Sequence, residues 1–199
     1  MTTWTTRLAA AASLAAGAAT ASYLGLITGA APLDLGIGRR ARPLGPQRVD
    51  IAAPRETVFD VIAQPYLGPP THAMAEKIRV LENGSDLVLA AHRTAIRGRL
   101  VATTVETVKF HPPDRITFRL VRGPVPHVTE QFQLTEHDGR TRLDYTGDMA
   151  ADLWQLGQWW SRIVANYWET TVATSLAAIR QESERRTHAH RPDQEEPWR

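Results

Sequence analysis

Along the middle of this chain apolar and polar residues alternate with a period of two, and over the last third the period lengthens to three or four. Ile116, Phe118 and Leu120 interleave with Arg115, Thr117 and Arg119. Val128, Phe132 and Leu134 interleave with Thr129, Gln131 and Gln133, and Leu143, Tyr145 and Met149 with Arg142, Asp144 and Asp148. Successive strand side chains point to opposite faces, so each of these segments is a strand with one covered and one wetted face. Val49 and Ile51 continue the pattern, and the stretches 78–82, 86–94 and 97–110 also read as strands, without so sharp an alternation. Asn83-Gly84 and His137-Asp138-Gly139 are hairpin signals, and Pro112-Pro113-Asp114 makes a further turn, so the sheet is expected to be antiparallel.

Two short helices are expected after the first strand. Pro54 suits a first helical turn, where its missing N–H costs nothing, and Val58, Phe59, Val61 and Ile62 form an apolar face. Pro65, Gly68, Pro69 and Pro70 end that helix, and Thr71 caps a second over Thr71–Lys77. From Asp152 to Arg185 there is no proline, and Leu153, Leu156, Trp160, Ile163, Val164, Tyr167, Thr171 and Ala178 recur at helical spacing. This predicts one helix about 50 Å long, with that stripe against the sheet.

The stretch 8–33 contains no charged residue. A bilayer core needs roughly 20 apolar residues in a helix, so the length suffices. Arg7 precedes the stretch, and Arg39, Arg40, Arg42 and Arg48 come after it, which places the domain beyond on the cytoplasmic side. The expectation is an N-terminal segment 1–34 that spans the membrane once, a linker over 35–47, a folded domain over 48–185 and a disordered polar tail over 186–199. Two rival readings stay open: a cleaved secretory signal ending near Ala19-Thr20-Ala21, or a surface segment.

Charge and composition narrow the chemistry. The 199 residues carry 23 Lys and Arg against 21 Asp and Glu, a net charge of +2, with no basic stripe interleaved with aromatics, so nucleic acid is not an expected partner. The absence of cysteine excludes disulfides, thiolate nucleophiles and thiolate metal sites. The seven histidines show no metal-ligand spacing beyond His188 and His190 in the tail, where no third ligand is fixed, so neither metal nor cofactor is expected. There is no Gly-x-Ser-x-Gly elbow and no phosphate loop.

Three stretches carry a family resemblance: VDIAAPRETVF over Val49–Phe59, PPDRI over Pro112–Ile116, and DGRTRLDY over Asp138–Tyr145. With the order of elements, they resemble the START/polyketide cyclase-like (SRPBCC) superfamily. The resemblance implies an α+β helix-grip fold, a curved antiparallel sheet wrapped around a long C-terminal helix, here preceded by an N-terminal hydrophobic helix. It further implies a cavity between sheet and helix, with the Gly123-Pro124-Val125-Pro126 loop near its entrance. It carries over no catalytic motif.

Within that frame the candidate ligand-binding residues are Trp160, Tyr167 and Trp168 on the helix, and Phe118, Glu130, Phe132 and Tyr145 on the sheet. Large rings suit an apolar ligand, although for any one ring the plainer reading is core packing. Trp154 and Trp159 lie off the stripe. Glu130 is in phase with Val128, Phe132 and Leu134, hence on the covered face, where a carboxylate is costly unless bonded. Its plainer reading is a strand-end group that reaches solvent or an Arg. Glu106 raises the same question with unclear parity, and His92 and His127 sit in or beside strands. The expected function is a membrane-tethered domain holding a lipid or other apolar small molecule. The alternative is a polyketide cyclase or aromatase-like enzyme using a buried carboxylate or histidine, and a third reading is an interaction protein with a filled core.

Overall fold

A computed structural model describes residues 16–69, 74, 76–97 and 100–189. Seven strands form one antiparallel sheet: β1 (Arg40–Ile51), β2 (Ile78–Asn83), β3 (Leu87–Arg97), β4 (Leu100–His111), β5 (Arg115–Arg122), β6 (His127–His137) and β7 (Arg140–Ala151). Their spatial order is β1-β7-β6-β5-β4-β3-β2. Helix α1 covers residues 16–27, α2 runs over Arg55–Leu67, and α3 runs over Trp154–Ala189. The inner face of the sheet closes on α2 and α3, with Val88, Val108, Ile116, Val128, Leu134, Leu143 and Met149 almost fully buried. The second short helix expected over Thr71–Lys77 falls largely outside the described residues.

Three boundaries differ from the sequence reading. The second half of the stretch read as linker 35–47 is strand, because β1 begins at Arg40 and pairs with Ala151 at the end of β7. The tail read as disordered from residue 186 begins as helix, since α3 continues to Ala189. Arg186 there bonds Gln64 on α2, and Glu182 one turn earlier accepts from both Arg185 and Arg186. The helical stripe is also shifted. Leu156 is 61% and Tyr167 55% exposed, while the buried face is Gly157, Ser161, Val164, Ala165, Val172, Leu176 and Ser183. This face alternates small residues with Val164, Val172 and Leu176, and at Gly157 a Cβ would collide with the carbonyl of Asp152 in the turn that leads into the helix. Trp160, Trp168 and Ile179 flank this face and pack on the core from its sides.

The membrane-spanning expectation is overturned. Among the described residues no helix is long and apolar enough to cross a membrane. Helix α1 rises about 18 Å over residues 16–27, short of a hydrocarbon core of roughly 30 Å. Residues 8–15 of the uncharged stretch lie outside the described residues. The residues just after α1 are bonded to the domain. Thr103 N on β4 donates to Thr28 O at 3.0 Å, and Arg122 on β5 donates to Gly29 O and Ala30 O, each at 2.9 Å. Hydropathy counting missed these tertiary bonds, which tie the segment to one end of the sheet.

That end is fastened by Asp152, between β7 and α3. Its side chain is 1% exposed and accepts from Leu35 N at 2.7 Å, Gly36 N at 2.9 Å and Arg39 Nε at 2.7 Å. Next to it Leu153 and Trp154 adopt φ of 71° and 46°, a left-handed geometry that costs L-residues roughly 1–2 kcal/mol each. Their amides donate to Ile37 O and Gly38 O at 2.9 Å, and Gly38 lies against the Trp154 ring, where no Cβ fits. The carboxyl of Asp152 is held at about 2, chiefly by the Arg39 hydrogen bond and despite burial. Its folded value lies below the ordinary 3.8, so its stabilisation is present above that value and is lost as pH falls through about 2. Asp152→Ala leaves two amides and a guanidinium without their acceptor, and is expected to cost about 2–4 kcal/mol in thermal unfolding at neutral pH. Limited proteolysis of the same variant should cut within residues 28–38; unchanged stability and protection would exclude the clamp.

Candidate functional site

The strand parity that buries Val128, Phe132 and Leu134 also carries Glu130 inward from β6. Its direct partners across the sheet are Phe118 on β5 and Gly147 on β7. Gly147 adds no side chain beside it, and a Cβ there would press on Thr129 O at 2.6 Å and Glu130 Cγ at 3.2 Å. Tyr145, the diagonal neighbour on β7, donates its hydroxyl to Glu130 Oε1 at 2.6 Å. Trp168 reaches down from α3 and donates Nε1 to the same oxygen, also at 2.6 Å. Burial, reinforced by the negative charge of Glu106, pushes the Glu130 carboxyl up to about 7 against the pull of these two donors. Burial and the neighbouring Glu130 charge likewise push the Tyr145 hydroxyl well above the ordinary phenol value.

A second polar chain lies on the same face. Glu106 on β4 is 5% exposed and accepts from Thr104 Oγ1 at 2.7 Å. Its other oxygen faces His92 Nδ1 on β3 at 2.9 Å, and His92 Nε2 meets Tyr66 OH from α2 at 3.0 Å. Burial alone would lower the His92 pKa, but the charge and hydrogen bond of Glu106 outweigh it and the net shift is upward. Glu106 is lowered in turn: burial works against its charge, and the His92 charge and hydrogen bond, with that of Thr104, prevail. Each partner therefore favours the charged form of the other. Tyr66, raised by burial and by the two carboxylates, stays a phenol.

An aromatic row joins the two chains. Tyr66 and Phe118 have ring centroids 6.2 Å apart, Phe118 and Phe132 5.4 Å, and Phe132 and Tyr145 5.6 Å. Of the residues singled out from sequence, Phe118, Glu130, Phe132, Tyr145 and Trp168 come together here. Trp160 lies nearer the fastened end, where its Nε1 donates to Pro124 O at 2.8 Å and Tyr23 of α1 stands edge-on to its ring at 6.2 Å. Tyr167 faces outward and is not part of the assembly. His127 is half-buried at the start of β6, apart from both chains. Tyr66 and Thr104 were not singled out. The signal for Tyr66 was its place one heptad after Phe59 on the apolar face of α2. The parity of Glu106 was hidden by a register shift against β5 between Val105 and Glu106.

Two surface hollows are present, and Phe118, Glu130 and Gly147 contribute to the first. One of about 510 Å³ sits on the wetted face of the sheet beside Thr107, Arg119 and Gln131, and one of about 760 Å³ lies beside α2 at Phe59, Leu67 and Pro113. Among the described residues no group of three or more His, Asp or Glu is placed to hold a metal ion.

The sequence matches the family described as polyketide cyclase/dehydrase and lipid transport over residues 46–184. The chain belongs to that family. No curated protein matches it. Among solved structures it is similar to the Zhui aromatase/cyclase from Streptomyces sp. R1128, at 22% identity and a TM-score of 0.58, covering 75% of this chain and 96% of that one. It is also similar to norcoclaurine synthase from Thalictrum flavum, solved with dopamine and hydroxybenzaldehyde, at 12% identity and a TM-score of 0.57, covering 78% of this chain and 91% of that one. At these identities the likeness establishes the fold. The polyketide cyclase/dehydrase match begins at residue 46, so α1 and the stretch fastened by Asp152 lie outside it.

The folded-state value of Glu130, about 7, exceeds the ordinary 4.5, so ionising this group works against the fold. The destabilisation grows as pH rises between those two values and is complete above the upper one. Glu130→Gln keeps an acceptor for Tyr145 and Trp168 without the charge. It is expected to raise stability over the wild type by at most about 3 kcal/mol above neutral pH, and by almost nothing near pH 4. Denaturant titrations at the two pH values check this, and a gain independent of pH would rule out the buried charge as its source.

Proposed function

We propose that this domain binds a lipid or another apolar small molecule between the inner face of the sheet and α3, with Glu130 as its polar contact. The observation that carries the reading is the setting of Glu130. A carboxyl stands midway along a row of aromatic rings, held by two neutral donors and with no cationic side chain bonded to it among the described residues. A purely structural carboxylate would be paired, as Glu106 is with His92 on the neighbouring strands. Pockets for small molecules combine apolar and aromatic walls with a few placed polar groups, and this interior has that make-up. The family description, which includes lipid transport, and the aromatic molecules held by norcoclaurine synthase on the same fold support it.

The polar chains also favour a second reading, as an enzyme of the cyclase or aromatase kind. A carboxyl poised near neutrality is suited to general acid or base work, and His92 is oriented by Glu106 as a catalytic imidazole would be. The apolar row alone does not distinguish the two.

Native mass spectrometry of the full chain purified from a lipid-rich host, with organic extraction of the molecules that travel with it, tests the first reading. The expected result is a defined apolar adduct released on denaturation. A clean protein mass, together with no change in tryptophan fluorescence on adding hydrophobic probes, would sink it. If the chain is an enzyme, His92→Asn and Glu130→Gln will each lower turnover of a polyketone surrogate by about 100-fold or more while the surrogate still binds. Retained turnover in both variants would remove the catalytic reading.

A further inference from the structure

Both hydrogen bonds to Glu130 fall on one oxygen. Tyr145 OH and Trp168 Nε1 each reach Oε1 at 2.6 Å. Oε2 receives no hydrogen bond among the described residues, and it is not sealed by packing as the orphaned Ser183 hydroxyl is. An oxygen that already accepts two strong bonds is the poorer seat for a proton. In the acid form of Glu130 the proton therefore sits on Oε2, on the side away from both donors. That O–H has no acceptor among the described residues.

We propose that the Oε2–H of Glu130 docks a neutral hydrogen-bond acceptor, so that the molecule taken into this interior is an apolar one bearing a carbonyl oxygen rather than an amine. The inference rests on the binding reading above and names its ligand chemistry. The surroundings favour a neutral group. Facing Glu130 are Tyr145 from β7, Glu106 from β4, His92 from β3 and Tyr66 from α2, and α3 brings Trp168 and then Glu169, whose Oε1 accepts from Gly45 N. Glu106 and His92 are paired with each other and both tyrosines are neutral, and the charges of Glu169 and Arg42 stand further off at β1, so beside the acid form of Glu130 no unpaired charge is bonded. A ligand carboxylate placed beside Glu130 would meet the Glu130 and Glu106 carboxyl groups, while the inward-facing Arg42 stands two strands away on β1, its buried Nε without a partner. When Glu130 loses its proton, Oε2 turns from donor to acceptor and opposes a carbonyl lone pair to lone pair. With the carboxyl poised at about 7, carbonyl binding takes up a proton and weakens as pH rises through neutrality.

The test uses three probes sharing one naphthalene body, with an acetyl, an ethyl or an aminomethyl group at the same ring position. Each is titrated into the full chain, with tryptophan fluorescence as the signal, at pH 6 and at pH 8.5. The acetyl probe is expected to bind about tenfold more tightly than the ethyl probe at the lower pH, and about equally at the higher. In Glu130→Gln an amide N–H takes the place of Oε2–H, so the acetyl advantage should persist at both pH values. Equal binding of acetyl and ethyl probes at both pH values would overturn the inference and leave the binding reading standing. Tightest binding of the aminomethyl probe at pH 8.5 would also overturn it, showing the carboxylate to be a cation site. Failure of all three probes, the hydrocarbon included, would overturn the binding reading and this inference together.

Discussion

Glu106 and Glu130 share an interior that holds one imidazole. His92 is 2.9 Å from Glu106 and bonded at its other nitrogen to Tyr66, so it has nothing left for Glu130. A buried carboxyl without a cation keeps its proton or finds a partner from outside the chain. Neutral donors on one oxygen only, a pKa raised to neutrality and a bare second oxygen are all consequences of that imbalance. Had β3 or β4 carried a second cation facing inward, Glu130 would be an ordinary ion-paired group and the site would have no distinguishing chemistry.

The fold supplies the imbalance through register and through the bulk of its helix face. Antiparallel pairing places Glu130 opposite Phe118 on one side and Gly147 on the other, so a ring adjoins the carboxyl on one strand and, on the other, a residue without a side chain lets the Glu130 stem lie close. The buried face of α3 mixes the small residues Gly157, Ser161, Ala165 and Ser183 with Val164, Val172 and Leu176 and carries no aromatic ring. Trp168 then enters from the flank and its indole N–H reaches the carboxyl. A bulky helix face would hold the sheet away and leave Glu130 with Tyr145 alone.

Much of this was legible in the residues, for physical reasons that differ from place to place. Alternation exposed β5, β6 and β7 because each has one wetted and one dry face, and it put Glu130 on the dry one. It failed on β4, where Val101, Val105, Leu100 and Val108 make both faces apolar and a register shift changes the phase partway. The helical stripe failed for the opposite reason. Large apolar residues mark the buried face only where there is room for them, and here Leu156 and Tyr167 are outside while Ser161 and Ser183 are inside. The N-terminal stretch was misread because composition counts apolar residues and is blind to the bonds from Thr103 and Arg122 that draw residues 28–30 onto the sheet.

That N-terminal stretch has a mechanical relation to the site that the polyketide cyclase/dehydrase match does not cover. Leu153 and Trp154 hold a left-handed backbone that L-residues resist, and they hold it through amide bonds to residues 37 and 38. Asp152, one residue earlier, binds residues 35, 36 and 39. The first turn of α3 and the stretch 35–39 therefore keep or lose their geometry together. One turn and a half further along α3, Trp160 is bonded to the 123–126 loop and touched by Tyr23. The strands β1, β4, β5, β6 and β7 all present an end to this same region, since Arg40 pairs with Ala151, His127 with Ala150, and Val105 with Arg122. At this end α1, the loop and Trp160 form one connected wall. The Asp152 clamp is what keeps that wall in register with the helix that carries Trp168.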